Sequence, residues 1–267
     1  MLIIIGLLVT HLEARHAGPG QASAPLSGFL REASGLAIVN EQQLLTHNDE
    51  KGHIYSIALP SMHITKLVSL GKPVALDDFE GIAVSGDNVY LITSTGKLYV
   101  IPNVSFTAAN QVANWSILDT GLATACEVEG LHFDHGKLLI PCKNIYKKNG
   151  EKKSGKDKIT VYSYVPGKDT KASELFSIND DGLKGNRKKV TGVDSDANFY
   201  YFLTPANILH VNRHTLSFQL FPLDSAVHTQ PEGIAIMGNG SLYLVDDRKD
   251  GRGGLSHYKN LESVSNF

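Results

Sequence analysis

The stretch Phe79-Glu80-Gly81-Ile82-Ala83-Val84 decides the fold, because its first four residues return in altered form along the chain. Each copy is marked by a glycine that follows a carboxylate or hydroxyl side chain and precedes an aliphatic one, at Gly35, Gly81, Gly130, Gly192 and Gly233. The copies recur at intervals of roughly 40 to 60 residues, which is typical of one supersecondary unit repeated along a chain.

Short apolar runs separated by turns follow each glycine. In the second copy, Gly86-Asp87-Asn88 precedes Val89-Tyr90-Leu91-Ile92, and Ser94-Thr95-Gly96 precedes Lys97-Leu98-Tyr99-Val100-Ile101. Such β-branched and aromatic runs, bounded by glycine, asparagine and aspartate, predict strands joined by hairpins. Between the third strand of each unit and the next copy of the phrase there is room for a fourth strand. Because four antiparallel strands per unit are typical of a propeller blade, the five copies predict an all-β, single-domain, five-bladed β-propeller.

The two ends of the chain bear on how the ring closes. After Tyr258 little chain remains for the outer strand of the last blade. We expect the segment Leu26 to Leu30 to supply that strand and to fasten the ring. A linear β-solenoid is the competing architecture, but its repeats are usually shorter and it needs no closure.

The composition excludes some classes of function. With 267 residues, 42% of them hydrophobic, the chain can bury a large core. A formal net charge of -2 provides no basic field for nucleic acid. Two basic stretches, Lys147 to Lys158 and Lys184 to Lys189, are polar and contain glycine, so we expect them to be solvated loops. The first should overhang the axial face of the propeller.

An apolar run, Leu2 to Val9, begins the chain. It is too short to cross a hydrocarbon core, which takes about 20 helical residues, but it suits a signal peptide. Ala22-Ser23-Ala24 offers a small-residue cleavage site. The sequence therefore predicts a leader over residues 1–22, a propeller over residues 23–267, an extracytoplasmic location and no stable transmembrane span.

The two cysteines, Cys126 and Cys142, allow one intramolecular pairing. Asp134-His135-Gly136 predicts a hairpin turn, and pairing Phe133 with Lys137 places Cys142 opposite Val128, two residues from Cys126. That register leaves two alternatives, a disulfide in an exported protein or two free buried thiols.

Three copies of the repeat carry a glutamate at the same position, namely Glu80, Glu129 and Glu232. In a closed ring these carboxylates meet at one end of the axis, with Ser34 and Thr191 in the two other places. Clustered carboxylates need protons or a cation to relieve their repulsion. Carboxylate and hydroxyl oxygens are ligands that Ca²⁺ prefers, so the sequence predicts a calcium site here. The alternative is that each glutamate caps the backbone of its own blade.

The ordered series Ser-Gly-Leu, Glu-Gly-Ile, Glu-Gly-Leu, Thr-Gly-Val, Glu-Gly-Ile resembles the bacterial SdiA-regulated family, whose members are exported five-bladed propellers similar to strictosidine-synthase-like and phytase-esterase-like propellers. The resemblance spans roughly residues 27 to 260 and implies a calcium ion and an extracytoplasmic location. The three glutamates match the family's recurring glutamates. Polar residues after second strands match at Asn48, Lys143 and Asp247, which are candidate ligand-binding residues. Thr93-Ser94 departs from the pattern, because a charged residue is expected there.

Two main functions compete for this chain, and an extracytoplasmic scaffold without a small-molecule ligand is a third. One is an exported binding module whose axial face recognises a small molecule, a glycan or an envelope component. The alternative is a calcium-dependent hydrolase, an esterase, lactonase or phosphatase, with His47 or His132 available as a base. The sequence lacks Gly-x-Ser-x-Gly and His-Glu-x-x-His, so no motif identifies an enzyme.

Overall fold

The computed structural model describes residues 21–26, 30, 32–146, 158–179, 189–247 and 254–265. The chain is a five-bladed β-propeller, as the repeats predict. The apolar run Leu2 to Val9 and nearly all of Lys147 to Lys158 and Lys184 to Lys189 lie outside the described residues. No helix within the described ranges is long and apolar enough to cross a membrane.

Each blade is a small sheet whose first strand lies nearest the axis. Blade 1 comprises β2 (Ala33–Asn40), β3 (Gln43–Asn48), β4 (His53–Ala58) and β5 (His63–Leu70). Blade 2 comprises β6 (Phe79–Ser85), β7 (Asn88–Thr93), β8 (Lys97–Ile101) and β10 (Ser116–Asp119). Blade 3 comprises β11 (Cys126–Val128), β12 (His132–Asp134), β13 (Lys137–Ile145), β14 (Lys158–Tyr164) and β15 (Ser173–Asn179). Blade 4 comprises β16 (Gly192–Ser195), β17 (Phe199–Leu203), β18 (Asn207–Asn212) and β19 (Phe218–Pro222). Blade 5 comprises β20 (Pro231–Ile236), β21 (Leu242–Asp246), β22 (Gly254–Tyr258) and β1 (Gln21–Pro25).

Two elements extend this pattern. Strand β9 (Gln111–Ala113) leaves blade 2 and pairs in parallel with β5, so it covers the outer edge of blade 1. A short 3-10 helix, Glu262–Val264, follows blade 5 and packs against β19.

Five apolar layers, one between each pair of neighbouring blades, form the core. Between blades 1 and 2, for example, Leu45 and Ile54 pack with Phe79 and Leu91, all of them fully buried. Because a blade is covered on both faces, its central strands are apolar at successive positions and do not alternate strictly. The layers set the angle between blades and hold the inner strands around one axis.

The ring is closed by a segment that precedes the expected one. Residues Gln21–Pro25 form β1 and pair antiparallel with β22 as the outer strand of blade 5, so the assignment of that role to Leu26 to Leu30 is wrong. Leu26 and Leu30 are buried instead in the apolar layer between blades 5 and 1. Burying these two leucine side chains in the core removes more apolar surface from water than an edge strand would, because one face of an edge strand is exposed to solvent.

The turn of blade 3 shifts the predicted register by one residue. Phe133 pairs with Leu138 rather than with Lys137, because His135 and Gly136, both with positive φ, form a two-residue turn. A register shift between Glu127 and Val128 leaves Val128 paired with Cys142, as expected. Cys126 and Cys142 form a disulfide, with 5.8 Å between their Cα atoms.

Candidate functional site

The five repeated phrases meet at one end of the axis because their glycines let neighbouring inner strands touch. A methyl group on Gly81 would lie 2.6 Å from the carbonyl carbon of Gly130, and one on Gly233 would lie 2.7 Å from that of Gly35. The glycines of all five phrases line one cavity of about 10 Å³, large enough for about one water molecule. The residue before each glycine therefore lies at the mouth of the axis.

We call these preceding residues the axial ring; they are Ser34, Glu80, Glu129, Thr191 and Glu232. Three of them lie in the inner strands β2, β6 and β20, while Thr191 immediately precedes β16 and Glu129 lies between β11 and β12. Glu129, Ser34 and Thr191 are buried, and the other two glutamates are half-buried.

The pKa values of the three glutamates in the axial ring are raised, chiefly by burial. Burial, followed by the charges of Glu129 and Asp78, raises the pKa of Glu80 to about 9. Burial and then the charge of Glu129 raise the pKa of Glu232 to about 8. Burial also raises the pKa of Glu129, although Lys143 opposes the shift. The three carboxyls lie within reach of one another's charge, which is the juxtaposition expected from the repeat.

Each glutamate of the axial ring accepts a hydrogen bond from a nearby donor. Ser34 Oγ donates to Glu80 Oε2 at 3.3 Å, and Gln230 Nε2 donates to Glu232 Oε1 at 3.0 Å. Glu129 Oε1 accepts a charge-assisted hydrogen bond from Lys143 Nζ. These donors hold the carboxylates in place and leave further oxygen lone pairs for a ligand.

Lys143, at the axial end of β13, provides positive charge beside the ring. Burial favours loss of its proton, but the carboxylates of Glu129, Glu232 and Glu80 outweigh burial and raise the pKa of the ammonium. The side chain is 27% exposed, whereas that of Glu129 is 4% exposed. Lys143 therefore contacts both the ring and solvent.

The other two candidate ligand-binding residues lie at the same face. Asn48 is buried, and its Oδ1 accepts hydrogen bonds from the backbone N–H groups of Glu50 at 3.2 Å and Lys51 at 2.8 Å. This oxygen stabilises the loop after β3. Asp247 is also buried, and its charge contributes to the raised pKa of Glu232 and of Asp49.

Sequence reasoning missed a second set of polar residues, two positions before the axial ring. This set comprises Glu32, Asp78, Glu127, Lys189 and Gln230. Aligning the five phrases and reading two residues back from each position of the axial ring finds this polar set in the sequence. Their contacts confirm the position, since Gln230 bonds Glu232 and the charge of Asp78 acts on Glu80 and Glu129.

Asp49, directly after β3, is a further carboxylate at this face. Burial, and then the charge of Glu32, raises its pKa to about 7. One of its carboxylate oxygens, Oδ1, is buried without a hydrogen-bond partner among the described residues. Asp49 is therefore a further carboxyl at this face whose charge a proton or a cation must neutralise.

Neither of the two histidines considered as a general base presents a solvent-exposed ring nitrogen to the axial ring. His47 is fully buried, its Nδ1 lies 3.1 Å from the backbone oxygen of Asn48, and burial lowers its pKa to about 4. His132 lies farther along the inner strands, where its Nδ1 is 3.1 Å from the carboxylate of Asp194. We find no support in this geometry for either as a general base.

The donor chemistry of the axial ring fits Ca²⁺, since carboxylates and hydroxyls are hard oxygen ligands. In the conformation described, however, no three carboxylate, imidazole or thiolate side chains of the described residues converge closely enough to hold a metal ion. A bound ion therefore requires Glu80, Glu129 and Glu232 to approach one another. The calcium site stays a prediction.

Neither a family model nor a curated protein matches this chain. Solved structures match its fold. The chain is similar to the PQQ-bound aldose sugar dehydrogenase of Streptomyces coelicolor, with a TM-score of 0.54 and 12% identity over 89% of this chain and 98% of that one. It is also similar to a luciferin-regenerating enzyme, with a TM-score of 0.53 and 11% identity over 92% and 99% of the two chains. A third similar structure is the WD40 propeller domain of Doa1, with a TM-score of 0.52 and 10% identity over 90% and 97%. These likenesses concern the fold alone.

Proposed function

We propose that this propeller binds a divalent cation, Ca²⁺, at the axial ring and acts as an extracytoplasmic binding module. The observation that carries the proposal is that burial raises the pKa of Glu80, Glu129 and Glu232, and that the charge of Glu129 adds to the shifts of the other two. A divalent cation relieves that repulsion and accepts the oxygen ligands present there.

The bound cation would make the axial face rigid and complete it as a recognition surface. Asn48, Lys143 and Asp247 surround the ring and would contact a small molecule, glycan or envelope component. Propellers of this size also include enzymes, so the fold does not decide between binding and catalysis. The full burial of His47 and the contact of His132 with Asp194 favour the binding module over the calcium-dependent hydrolase.

An extracytoplasmic location agrees with the disulfide between Cys126 and Cys142. Disulfides form and persist mainly in oxidising compartments such as the periplasm and the extracellular space. Together with the apolar run at the start of the chain, the disulfide supports export.

Calorimetric titration of chelator-treated protein with CaCl₂ tests the cation site. We expect saturable binding, and at about 100 times the dissociation constant the free energy of unfolding should rise by about 2.7 kcal/mol. Glu80→Gln keeps the shape of the side chain but removes one ligand charge, so it should weaken binding. Glu262→Gln, the same change at an exposed position in the C-terminal 3-10 helix, is the matched control and should bind like the wild type.

An absence of heat and of any thermal shift with CaCl₂ in the wild type would overturn the calcium site. Glycan-array binding and hydrolysis of ester, lactone and phosphate substrates, each measured with and without chelator, separate the two functions. Chelator-sensitive hydrolysis would replace the binding module with the hydrolase.

A further inference from the structure

Lys143 reaches the axial ring from the same blade as Glu129. The residue before it, Cys142, is joined by the disulfide to Cys126, so the backbone beneath the lysine is cross-linked to β11. The ammonium donates to Glu129 Oε1, and the charges of Glu232 and Glu80 also act on it. Lys143 thus extends from a cross-linked strand to Glu129, within reach of the charges of Glu232 and Glu80.

When no cation is bound, Lys143 offsets the free-energy cost of burying the Glu129 carboxylate. A carboxylate only 4% exposed is strongly destabilising when it has no charged partner. One ammonium balances Glu129 alone, and the raised pKa values of Glu80 and Glu232 keep these two carboxyls protonated at neutral pH when no metal is bound. A divalent cation would replace those protons and supply the positive charge that the three carboxylates need in order to ionise together.

A divalent cation and the ammonium compete for Glu129. Oε1 of Glu129 is engaged by Lys143, and two positive charges at hydrogen-bond distance from one carboxylate repel each other strongly in a buried site. The lysine has a route out, because its side chain is 27% exposed and carries four flexible methylene groups. Displacement into solvent needs no movement of β13.

We propose that Lys143 is a tethered counter-cation of the axial ring that a bound divalent cation must displace from Glu129. The proposal rests on the proposed function, since it assumes that the ring binds a cation. It assigns Lys143 a regulatory role: the closed state with the lysine on Glu129 lowers the apparent affinity for metal and keeps the ring folded when metal is scarce.

The first experiment is a calorimetric titration of metal-free Lys143→Met with CaCl₂. Removing the competitor should tighten binding by on the order of tenfold relative to the wild type. Lys97→Met is the matched control, because Lys97 forms an ion pair with Asp77 at 2.9 Å outside the axial ring and its side chain is 50% exposed. That variant loses the same charge and should bind CaCl₂ nearly like the wild type.

The second experiment is a double-mutant cycle without metal. Urea unfolding of the wild type, Lys143→Met, Glu129→Gln and the double variant should show that each single change destabilises the protein and that the second change partly repairs the first. Lys143→Gln, which keeps a hydrogen-bond donor for Glu129, replaces Lys143→Met in both experiments if the methionine variant does not fold.

The outcomes separate the two proposals. Additive effects in the cycle, or equal or weaker calcium affinity in Lys143→Met beside a wild type that binds, overturn the role of Lys143 and leave the calcium site intact. Calcium binding in neither protein overturns the site and the competition together. Tighter binding in the variant, with coupling in the cycle, supports both.

Discussion

Single glycine residues decide how closely neighbouring blades approach at the axis. A methyl group on Gly81 would lie 2.5 Å from the backbone nitrogen of Leu131 and 2.6 Å from the carbonyl carbon of Gly130. Backbone atoms cannot rotate away as a side chain can, so a larger residue must separate blades 2 and 3. That separation would also spread the glutamates of the axial ring.

Gly81→Ala should lower the free energy of unfolding by about 1 to 3 kcal/mol or more, because it overpacks a site lined by backbone. Gly238→Ala is the control, since its methyl group would meet only the end of the flexible Glu41 side chain, 3.0 Å away. Urea unfolding of both variants checks the prediction. Equal stability of the two would mean that the axis tolerates expansion.

Two carboxyls of the axial ring, Glu80 and Glu232, make stability depend on pH. Their folded-state pKa values of about 9 and about 8 exceed the ordinary 4.5, so the folded protein holds protons that the unfolded chain releases. Their contribution to stability is fully present below about pH 4.5 and is lost as the pH rises through 8 to 9. In the absence of metal, stability should therefore decline from pH 5 to pH 9.

Glu80→Gln cannot release this proton, so the decline between pH 5 and pH 9 should be shallower than in the wild type. Urea unfolding in chelator-containing buffer at pH 5, 7 and 9 measures the difference, and Glu262→Gln should keep the wild-type slope. Parallel curves for the wild type and Glu80→Gln would contradict the assignment of the shift to Glu80.

At the scale of elements, the inner strand of blade 3 differs from the other four. It is divided into β11 and β12, and Gly130 between them has a φ of +127°, a backbone conformation that favours glycine. The break places Glu129 outside regular strand structure. The disulfide between Cys126 and Cys142 compensates by joining the first part of this strand to β13, next to Lys143.

Replacing both Cys126 and Cys142 with alanine should destabilise the protein by about 3 kcal/mol, the amount expected for a closed loop of this length. The wild type unfolded in reducing buffer should lose a similar amount. Thermal and urea unfolding of the oxidised, reduced and double-alanine proteins check this. A double variant as stable as the oxidised wild type would show that the strands of blade 3 hold the site without the cross-link.

At the scale of the whole molecule, closure depends on five residues near the start of the chain. Strand β1, Gln21–Pro25, completes blade 5 beside β22, and Leu26 and Leu30 then enter the layer between blades 5 and 1. Cleavage directly after Ala24 would remove four of the five residues of β1. A cleavage of the leader that preserves the closed propeller must therefore occur before Gln21.

A chain that begins at Gln21 should melt like the full chain, whereas one that begins at Leu26 should lose about 1 kcal/mol for each missing backbone hydrogen bond. The shorter chain also exposes the edge of β22, so we expect it to associate at high concentration. Thermal unfolding and size-exclusion chromatography distinguish the two. Matching melting temperatures would show that β1 is dispensable for closure.

The sequence by itself determined the blade number, the strand content and the meeting of the three glutamates. These features follow from spacing along the chain, because five copies of one phrase, each followed by short β-rich runs and turns, predict one four-stranded unit repeated five times. The aligned position of Glu80, Glu129 and Glu232 then follows from ring closure alone. The same logic could have found Asp78 and Gln230, which occupy one aligned position.

Only the tertiary structure decided which segment closes the propeller, which residues neutralise the axial ring and which histidines are buried. These depend on contacts between residues far apart in sequence, such as β1 with β22 or Lys143 with Glu129. Leu26 to Leu30 was the expected edge strand, whereas Gln21–Pro25 forms it. Leu26 and Leu30 are buried in an apolar layer instead, which removes from water apolar surface that an edge strand leaves half exposed.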